Sequence, residues 1–223
     1  IEFCMEKVAE TDVKKLLIKH YPDFYTEVPP DKILSALLFC GFQIVDLDIN
    51  HHLEIGMEFE KGLKPMQRRR IRKCQRQGFK FNTVPNNDTE SVFRTIQSLR
   101  SKKDIPVNMD IKEFKALLKR FPDHYQAFTV TDQERVIAAT LTVRVNDRVL
   151  YQFLPASDPA YNDSSPMVFL IDGLYRYARE KQYGYIDMGI SSLHGEPQSD
   201  LIRFKERLGC LTGMKFSFSK TIA

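Results

Sequence analysis

The last strand–helix unit of the chain constrains the fold more than any other segment. A short apolar strand from Tyr185 to Met188 runs into a turn with one glycine and two serines, and after Pro197 a short amphipathic helix ends at Gly209. In α/β sheets, ligands bind where the carboxyl end of a strand meets the start of a helix. The unit therefore predicts an α/β fold with a ligand site at this corner, but it names no reaction.

The composition is that of a folded, water-soluble protein. Of the 223 residues, 43% are hydrophobic and 28% are charged, which is enough for a core and excludes bulk disorder. The length fits one large domain, or one domain and part of another. No apolar run approaches the roughly 18–20 residues that cross a bilayer, and the first residues lack the basic and apolar regions of a signal peptide. We therefore expect a cytoplasmic protein without a membrane span.

The cysteines and histidines do not form a metal-binding pattern. The pair His51-His52 has no third ligand nearby, as a zinc site would need. The cysteines are widely spaced and form no CxxC pair, which argues against a zinc or thioredoxin-like centre and favours reduced thiols; they are Cys4, Cys40, Cys74 and Cys210. A net charge of +4 permits anionic partners such as coenzyme A, tRNA or phospholipid surfaces.

Hydrophobic periodicity and turn residues predict a mixed order of helices and strands. Before residue 64, we expect an amphipathic helix over 6–20, a second helix from Lys32 to Phe39 capped by Asp31, and two strands over 42–59. After it, we expect a basic helix from Pro65 to Gly78, a strand at 79–81, helices over 92–99 and 110–121, three antiparallel strands over 124–157, a long helix from about 166 to 182, and a final strand over 214–220. This order predicts an N-terminal segment, 1–63, and a main α/β domain, 64–223.

Four segments of the main domain resemble the GCN5-related N-acetyltransferase (GNAT) superfamily, and in particular its Fem-type branch, which carries tandem copies of the fold. They are the basic stretch RRRIRKCQRQGF, the hairpin VIAATLTVRVNDRVLYQF, the helix–strand unit SSPMVFLIDGLYRYAREKQYGYIDMGIS, and the closing helix LIRFKERLGC. The resemblance implies a mixed, strongly twisted sheet flanked by helices. It also implies that residues 1–63 are the remnant of a first copy.

The resemblance implies transfer of an acyl or aminoacyl group from a thioester or ester carrier to a small-molecule or peptide amine. The donor would be acyl-coenzyme A or, as in Fem-type enzymes, aminoacyl-tRNA. A protein of another class, a non-catalytic nucleic-acid or anion-binding protein on the same fold, remains an alternative. No metal is implied.

The resemblance further implies that the donor binds in a V-shaped opening between the strand around 150–154 and the strand around 185–189. Backbone N–H and C=O groups would serve there, so no special side chain is required. The residues expected to line the donor site are Leu150, Gln152, Phe153, Gly189 and Ser191. We interpret Tyr151, in the same stretch, as a packing residue.

The chain departs from simple acetyltransferases at two positions. The loop before the long helix, AYNDSSPM, has no glycine, which counts against classical coenzyme A binding. Ser164 and Ser165 would cap the helix or touch a phosphate there. Lys205 stands where those enzymes often carry a tyrosine as general acid, and this lysine resembles the Fem-type pattern. Lys205 would hold a phosphate or stabilise charge on the acyl oxygen, or it would simply extend from the helix into water.

Three side chains near this corner are candidates for catalysis. Besides Lys205, Asp187 is a candidate base, although a mid-strand aspartate often only accepts hydrogen bonds from a neighbouring loop. His194 has a pKa suited to acid–base work, although a single histidine in a loop is often only a surface residue. No Ser–His–Asp or Cys–His pattern supports covalent catalysis.

The basic helix is the strongest charge feature of the chain. Its helical spacing puts Arg69, Arg72, Lys73 and Arg76 on one face. Such a face would bind tRNA phosphates, a nucleotide or an anionic lipid. The alternative is a solvated face balanced by nearby acids, since no aromatic residues are interleaved for base stacking.

Overall fold

The computed structural model describes residues 12–27, 31–56, 59–193 and 195–222 and has a mixed α/β fold, as predicted. The helices are α1 (Asp31–Phe39), α2 (Phe59–Gly62), α3 (Pro65–Arg76), α4 (Thr89–Ser101), α5 (Ile111–Arg120), α6 (Pro166–Glu180) and α7 (Ser199–Arg207). The strands are β1 (Lys15–Lys19), β2 (Gln43–Glu54), β3 (Lys80–Val84), β4 (Tyr125–Asp132), β5 (Arg135–Arg144), β6 (Val149–Ser157), β7 (Tyr185–Ile190), β8 (Ser192–Leu193), β9 (Glu196–Pro197) and β10 (Leu211–Thr221). None of these described helices is long and apolar enough to cross a membrane.

The chain forms two compact units, and each unit combines segments that are separate in the sequence. The smaller unit combines residues 1–51, 190–203 and 212–223, and the larger combines 52–189 and 204–211. The derivation of residues 1–63 from a first copy of the fold stays a prediction.

The larger unit has a sheet in the order β7–β6–β5–β4–β3, with the end of β2 beside β7. Strands β3 to β6 pair antiparallel in sequence order, whereas β6 and β7 pair parallel. One core cluster packs α3 and α6 on the sheet, with Ile71, Phe128 and Leu170 among its buried residues. A second cluster packs α4 and α5, with Phe93 and Phe114 stacked at 4.4 Å. The two faces of this sheet are therefore covered by two different pairs of helices.

Local sequence signals set the ends of several helices. Pro65 and Pro166 occupy the first turns of α3 and α6, where a missing N–H removes no hydrogen bond. At α5, the Asp110 carboxylate accepts hydrogen bonds from the N–H groups of Lys112 and Glu113, and the Glu113 carboxylate accepts one from the Asp110 N–H. This capping box fixes the start of α5 at the predicted residue.

The smaller unit has a sheet in the order β1–β10–β2, and Leu37 of α1 packs with Phe42 and Phe218 in its core. Two predictions for this region were wrong. Residues 15–19 form an edge strand paired antiparallel with β10, not a helix; residues 6–11 of that predicted helix lie outside the described residues. Residues 43–54 form one long strand instead of two. The predicted helix over 32–39 is confirmed.

Gly209 ends α7 and lies close to Gly62, the last residue of α2. Its φ of +79° lies in the left-handed region, and a Cβ at this position would lie 2.9 Å from the carbonyl oxygen of Gly62. We expect Gly209→Ala to lower the free energy of unfolding by about 2–3 kcal/mol, because a strained backbone and a close contact act together. Chemical denaturation would measure this loss.

Gly78 provides a matched control, because its φ is +77° but a Cβ added at this position would have no atom within 4 Å. We expect Gly78→Ala to cost only about 1 kcal/mol, from backbone strain alone. Equal losses in the two variants would show that the approach of Gly209 to Gly62 does not matter.

Candidate active site

The parallel strands β6 and β7 separate after three paired positions. The register pairs Val149 with Tyr185, Leu150 with Ile186, and Tyr151 with Asp187, and in the described residues it ends there. Strand β7 continues to Ile190 and β6 to Ser157. An irregularity in the pairing of β6 with β5 leaves Phe153 without an opposite residue, and such a bulge bends a strand. The two strands therefore open at their carboxyl ends.

Gly189 forms the turn at this opening. Its φ of +73° favours glycine. The Asp187 side chain, 3% exposed, accepts a hydrogen bond from the Gly189 N–H at 2.7 Å. The Lys205 ammonium donates to the Gly189 carbonyl oxygen at 2.8 Å. Both backbone polar groups of Gly189 are thus engaged within the protein.

Lys205 is buried at 4% exposure, so its alternative interpretation as a lysine extending into water is wrong. Burial lowers the pKa of its ammonium to about 8, although the charges of Cys210 and Asp187 act in the opposite direction. The helix α7 holds this lysine toward the end of β7, and the bend at Gly209 ends the helix one turn later. The result is a buried cation at the opening between β6 and β7.

Three further titratable groups surround Asp187 or Lys205, and the sequence had not indicated them as site residues. Burial and the Asp187 charge raise the pKa of Tyr151 to about 12. Burial raises the pKa of the Cys210 thiol to about 12. Burial lowers the pKa of His52, whereas the carboxylates of Glu54 and Asp187 act against that shift. A sequence pattern could not identify them, because β2, β6 and the segment after α7 come together only in the folded chain.

The predicted donor-site residues have different surroundings. Leu150 and Gln152 are buried, and Phe153 packs partly against the α4–α5 core cluster. Leu150 also pairs with a strand on each side, opposite Arg144 and Ile186. Ser191 lies in the smaller unit, where its hydroxyl contacts His51 Nδ1 at 2.9 Å and its N–H donates to Ile49. His194 lies outside the described residues.

Neither serine in the loop before α6 caps the helix with its side chain. Ser165 occupies the capping position with φ of +57°, but its hydroxyl donates to the Asn162 carbonyl and makes no helix-capping bond. Ser164 is buried, and its carbonyl accepts from the Cys74 thiol. The expectation of a serine cap was therefore wrong. The backbone amides of Ser164 and Ser165 donate to the Tyr161 carbonyl, and the amide of Val168 donates to Ser165.

Cations flank this loop on both sides. On one side, Lys73 of α3 donates to the Asp163 carbonyl at 2.9 Å. On the other, Lys102 and Arg135 contact the buried Asp158 carboxylate at 2.9 and 2.7 Å. Burial alone would raise the pKa of Asp158, but these hydrogen bonds lower it to about 2. The carboxylate is therefore ionised across the ordinary pH range.

The other cations of α3 form an exposed basic face, consisting of Arg69, Arg72 and Arg76. With Gln75 they line a shallow cavity of about 550 Å³. None of these three arginines makes an ion pair with an acid in the described part of the chain. Lys73, predicted on the same face, is instead half-buried against the loop. No group of three or more potential metal ligands occurs among the described residues.

Several solved structures are similar in fold but share little sequence with this chain. FemX is 13% identical with a TM-score of 0.77, over 99% of this chain and 75% of FemX. The C-terminal domain of a putative lysylphosphatidylglycerol synthetase from Agrobacterium fabrum is 12% identical with a TM-score of 0.71, over 98% of this chain and 71% of that chain. L-PGS from Bacillus licheniformis is 10% identical with a TM-score of 0.70, over 97% of this chain and 71% of that chain. These similarities establish the fold and confirm its GNAT-like class.

The sequence itself matches one family. No curated protein matches the chain. The model of the acetyltransferase (GNAT) domain matches residues 66–205, which is more than half of the sequence and includes α3, the opening between β6 and β7, and Lys205. The chain therefore belongs to the GNAT acetyltransferase family, whose members are acyltransferases.

Proposed function

We propose that this protein transfers an acyl or aminoacyl group from an ester-activated, phosphate-rich carrier to an amine. The reacting carbonyl would lie at the opening between β6 and β7. The single observation that carries the proposal is the buried Lys205 ammonium, held against the Gly189 carbonyl at that opening. A fixed cation in a site shielded from water stabilises negative charge far better than one in solvent.

Attack of an amine on the donor carbonyl places negative charge on its oxygen. Lys205 would stabilise this oxyanion, and Asp187 would keep the turn in place through the Gly189 N–H. This gives Asp187 a positioning role, not that of the base predicted from the sequence.

The loop before α6 bears on which carrier the protein would bind. Membership of the family is compatible with an acyl-coenzyme A donor. However, the loop has no glycine, and its amides at Ser164, Ser165 and Val168 already donate within the protein, so they do not form a cradle for a pyrophosphate. Gly189, whose backbone would pair with the pantetheine arm, is also engaged. Coenzyme A therefore fits these residues poorly.

A tRNA-like carrier is supported by the basic face of α3. Three arginines without ion pairs among the described residues offer strong contacts to phosphates. The loop before α6 lies next to α3 through the bond from Lys73 to Asp163. A phosphate backbone bound to α3 would therefore lie near the start of α6.

Thermal shifts with three probes test the proposed donor: bulk tRNA, acetyl-coenzyme A and a long-chain acyl-coenzyme A. A ligand at 100 times its dissociation constant stabilises the folded state by about 2.7 kcal/mol. We expect tRNA to raise the melting temperature and both coenzyme A thioesters to leave it unchanged. Stabilisation by a thioester alone would contradict the proposed carrier, and a protein that binds tRNA but forms no amide would be the non-catalytic nucleic-acid-binding alternative.

Charge reversal tests the basic face directly. We expect the Arg69→Glu, Arg72→Glu and Arg76→Glu triple variant to bind tRNA at least tenfold more weakly. The slope of log affinity against log salt concentration should become shallower by about 2–3, because each lost phosphate contact removes about 0.7–0.9. Fluorescence anisotropy over a salt series would measure both.

The matched control reverses three exposed cations of α5, Lys112, Lys119 and Arg120, with the same change in net charge. We expect a much smaller loss of affinity, because only the net charge changes. If both triple variants weaken binding equally, the basic face of α3 is not the binding surface.

A further inference from the structure

Tyr151 lies at the point where β6 and β7 part. It forms the last register pair, opposite Asp187, and the bulge at Phe153 follows two residues later. Its ring lies beside Gly189: a Cβ built on that glycine would be 3.5 Å from Tyr151 Cε2 and 3.8 Å from its hydroxyl oxygen. The phenol and the Lys205 ammonium therefore both approach Gly189, the first through its Cα side and the second through its carbonyl oxygen.

The surroundings of Tyr151 keep its hydroxyl protonated. Burial, together with the charge of Asp187 on the paired strand, raises the pKa of Tyr151 to about 12. The hydroxyl therefore stays protonated, as a hydrogen-bond donor, well above neutral pH. A tyrosine used only for packing needs its ring alone, and phenylalanine would fill nearly the same volume.

We propose that the Tyr151 hydroxyl is the proton donor to the leaving oxygen in the acyl transfer. This inference rests on the proposed function. It follows from the position of the hydroxyl at the opening, close to the turn that also holds the Lys205 ammonium. The two groups then have different roles: Lys205 stabilises the oxyanion, and Tyr151 protonates the leaving oxygen.

The step balances in atoms and electrons. The lone pair of the acceptor amine forms a C–N bond to the donor carbonyl carbon, and the tetrahedral intermediate then breaks its C–O bond to the carrier. The leaving oxygen keeps that electron pair and takes the proton from Tyr151. The resulting phenolate takes the proton that the amine nitrogen loses. The products are an amide and a free hydroxyl on the carrier, and Tyr151 returns to its starting form.

Two donors that differ in their leaving groups test this role in the Tyr151→Phe variant. The first is alanine esterified to the 3′ end of an acceptor-stem RNA minihelix, whose alkoxide must be protonated as it leaves. The second is alanine p-nitrophenyl ester, whose phenolate leaves as a stable anion. With a lysine-containing peptide as acceptor, we expect kcat on the minihelix ester to fall about 100-fold, a typical general-acid contribution, with KM changed less than threefold. On the nitrophenyl ester, kcat should change less than threefold.

The nitrophenyl ester also controls for folding, since a misfolded variant would lose both activities. Tyr177→Phe is a matched control, because Tyr177 is a partly buried tyrosine on α6 outside the opening; it should leave both rates unchanged. Equal losses on the two donors, or no loss on the minihelix ester, would overturn the role of Tyr151. The same conclusion follows if the wild-type protein uses only the nitrophenyl ester. If the wild-type protein uses neither donor, the proposed function itself fails, and this inference fails with it.

Discussion

Lys205→Met is expected to lower kcat for acyl transfer by about 100- to 1,000-fold, the usual effect of removing one oxyanion-stabilising group. Methionine matches the length of the lysine stem and can fill the same buried space, but it carries no charge and cannot donate to the Gly189 carbonyl. KM should change little, because the cation acts mainly when charge develops in the transition state. Steady-state kinetics with a saturating amine acceptor would measure the loss.

Lys220 offers a matched control for this substitution. Its ammonium also donates to a carbonyl oxygen, that of Cys40, at 2.7 Å, but it belongs to the smaller unit. Lys220→Met should keep kcat within about threefold of the wild-type value, so that losing a lysine–carbonyl bond by itself does not explain the effect. If Lys205→Met retains most of its activity while remaining folded, the assignment of Lys205 is wrong.

The second large effect is a loss of activity at alkaline pH. Burial lowers the pKa of Lys205 to about 8, so above that pH the ammonium deprotonates and the oxyanion loses its cation. We expect kcat to fall about tenfold for each pH unit from roughly pH 8 upward. The pH dependence of kcat, measured with an acceptor amine already neutral below pH 8, would reveal this limb.

The thiol beside Lys205 does not explain such a limb. The pKa of Cys210 is about 12, well above the pH at which the limb begins. Lys205→Arg keeps a permanent charge and should move the limb upward by more than two pH units. An unchanged limb in a folded Lys205→Arg variant would show that another group titrates.

Stability should respond to pH in the opposite direction. A lysine in the unfolded chain has a pKa near 10.4, whereas Lys205 in the folded chain has one of about 8. Between these values the unfolded state binds more protons, so the contribution of Lys205 to the free energy of unfolding rises with pH. Above about pH 8, activity should therefore fall while this contribution to stability rises, so alkaline inactivation should be reversible.

Much of the larger unit could be predicted from local signals. Pro65, Asp110 and Pro166 mark helix starts that hold in the structure, because capping and the fixed φ of proline act within a few residues. The basic helix, the three antiparallel strands and the closing helix with Lys205 were all placed correctly. The hydrophobic periodicity and the turn residues were sufficient to predict these helices and strands, since the apolar face of each element packs on a single core cluster.

The errors arose where distant partners decide the structure. The run Lys15–Lys19 has apolar residues that fit a helix or a strand, and its pairing with β10, about 200 residues later, selects the strand. The position of Tyr151 at the opening has no signal in the sequence, because it depends on where the parallel register with β7 ends. Ser165 is a good capping residue by type, but its left-handed backbone turns its hydroxyl back to Asn162.

The most direct test of acyl transfer at this opening is to follow the acyl group itself. Alanine carrying a ¹⁴C label, esterified to an RNA minihelix, would be incubated with the protein and a lysine-containing peptide, and the peptide would be examined for an alkali-stable amide. We expect labelled amide with the wild-type protein and at least 100-fold less with Lys205→Met. Absence of labelled amide with the folded wild-type protein, or equal formation by the two proteins, would contradict the account.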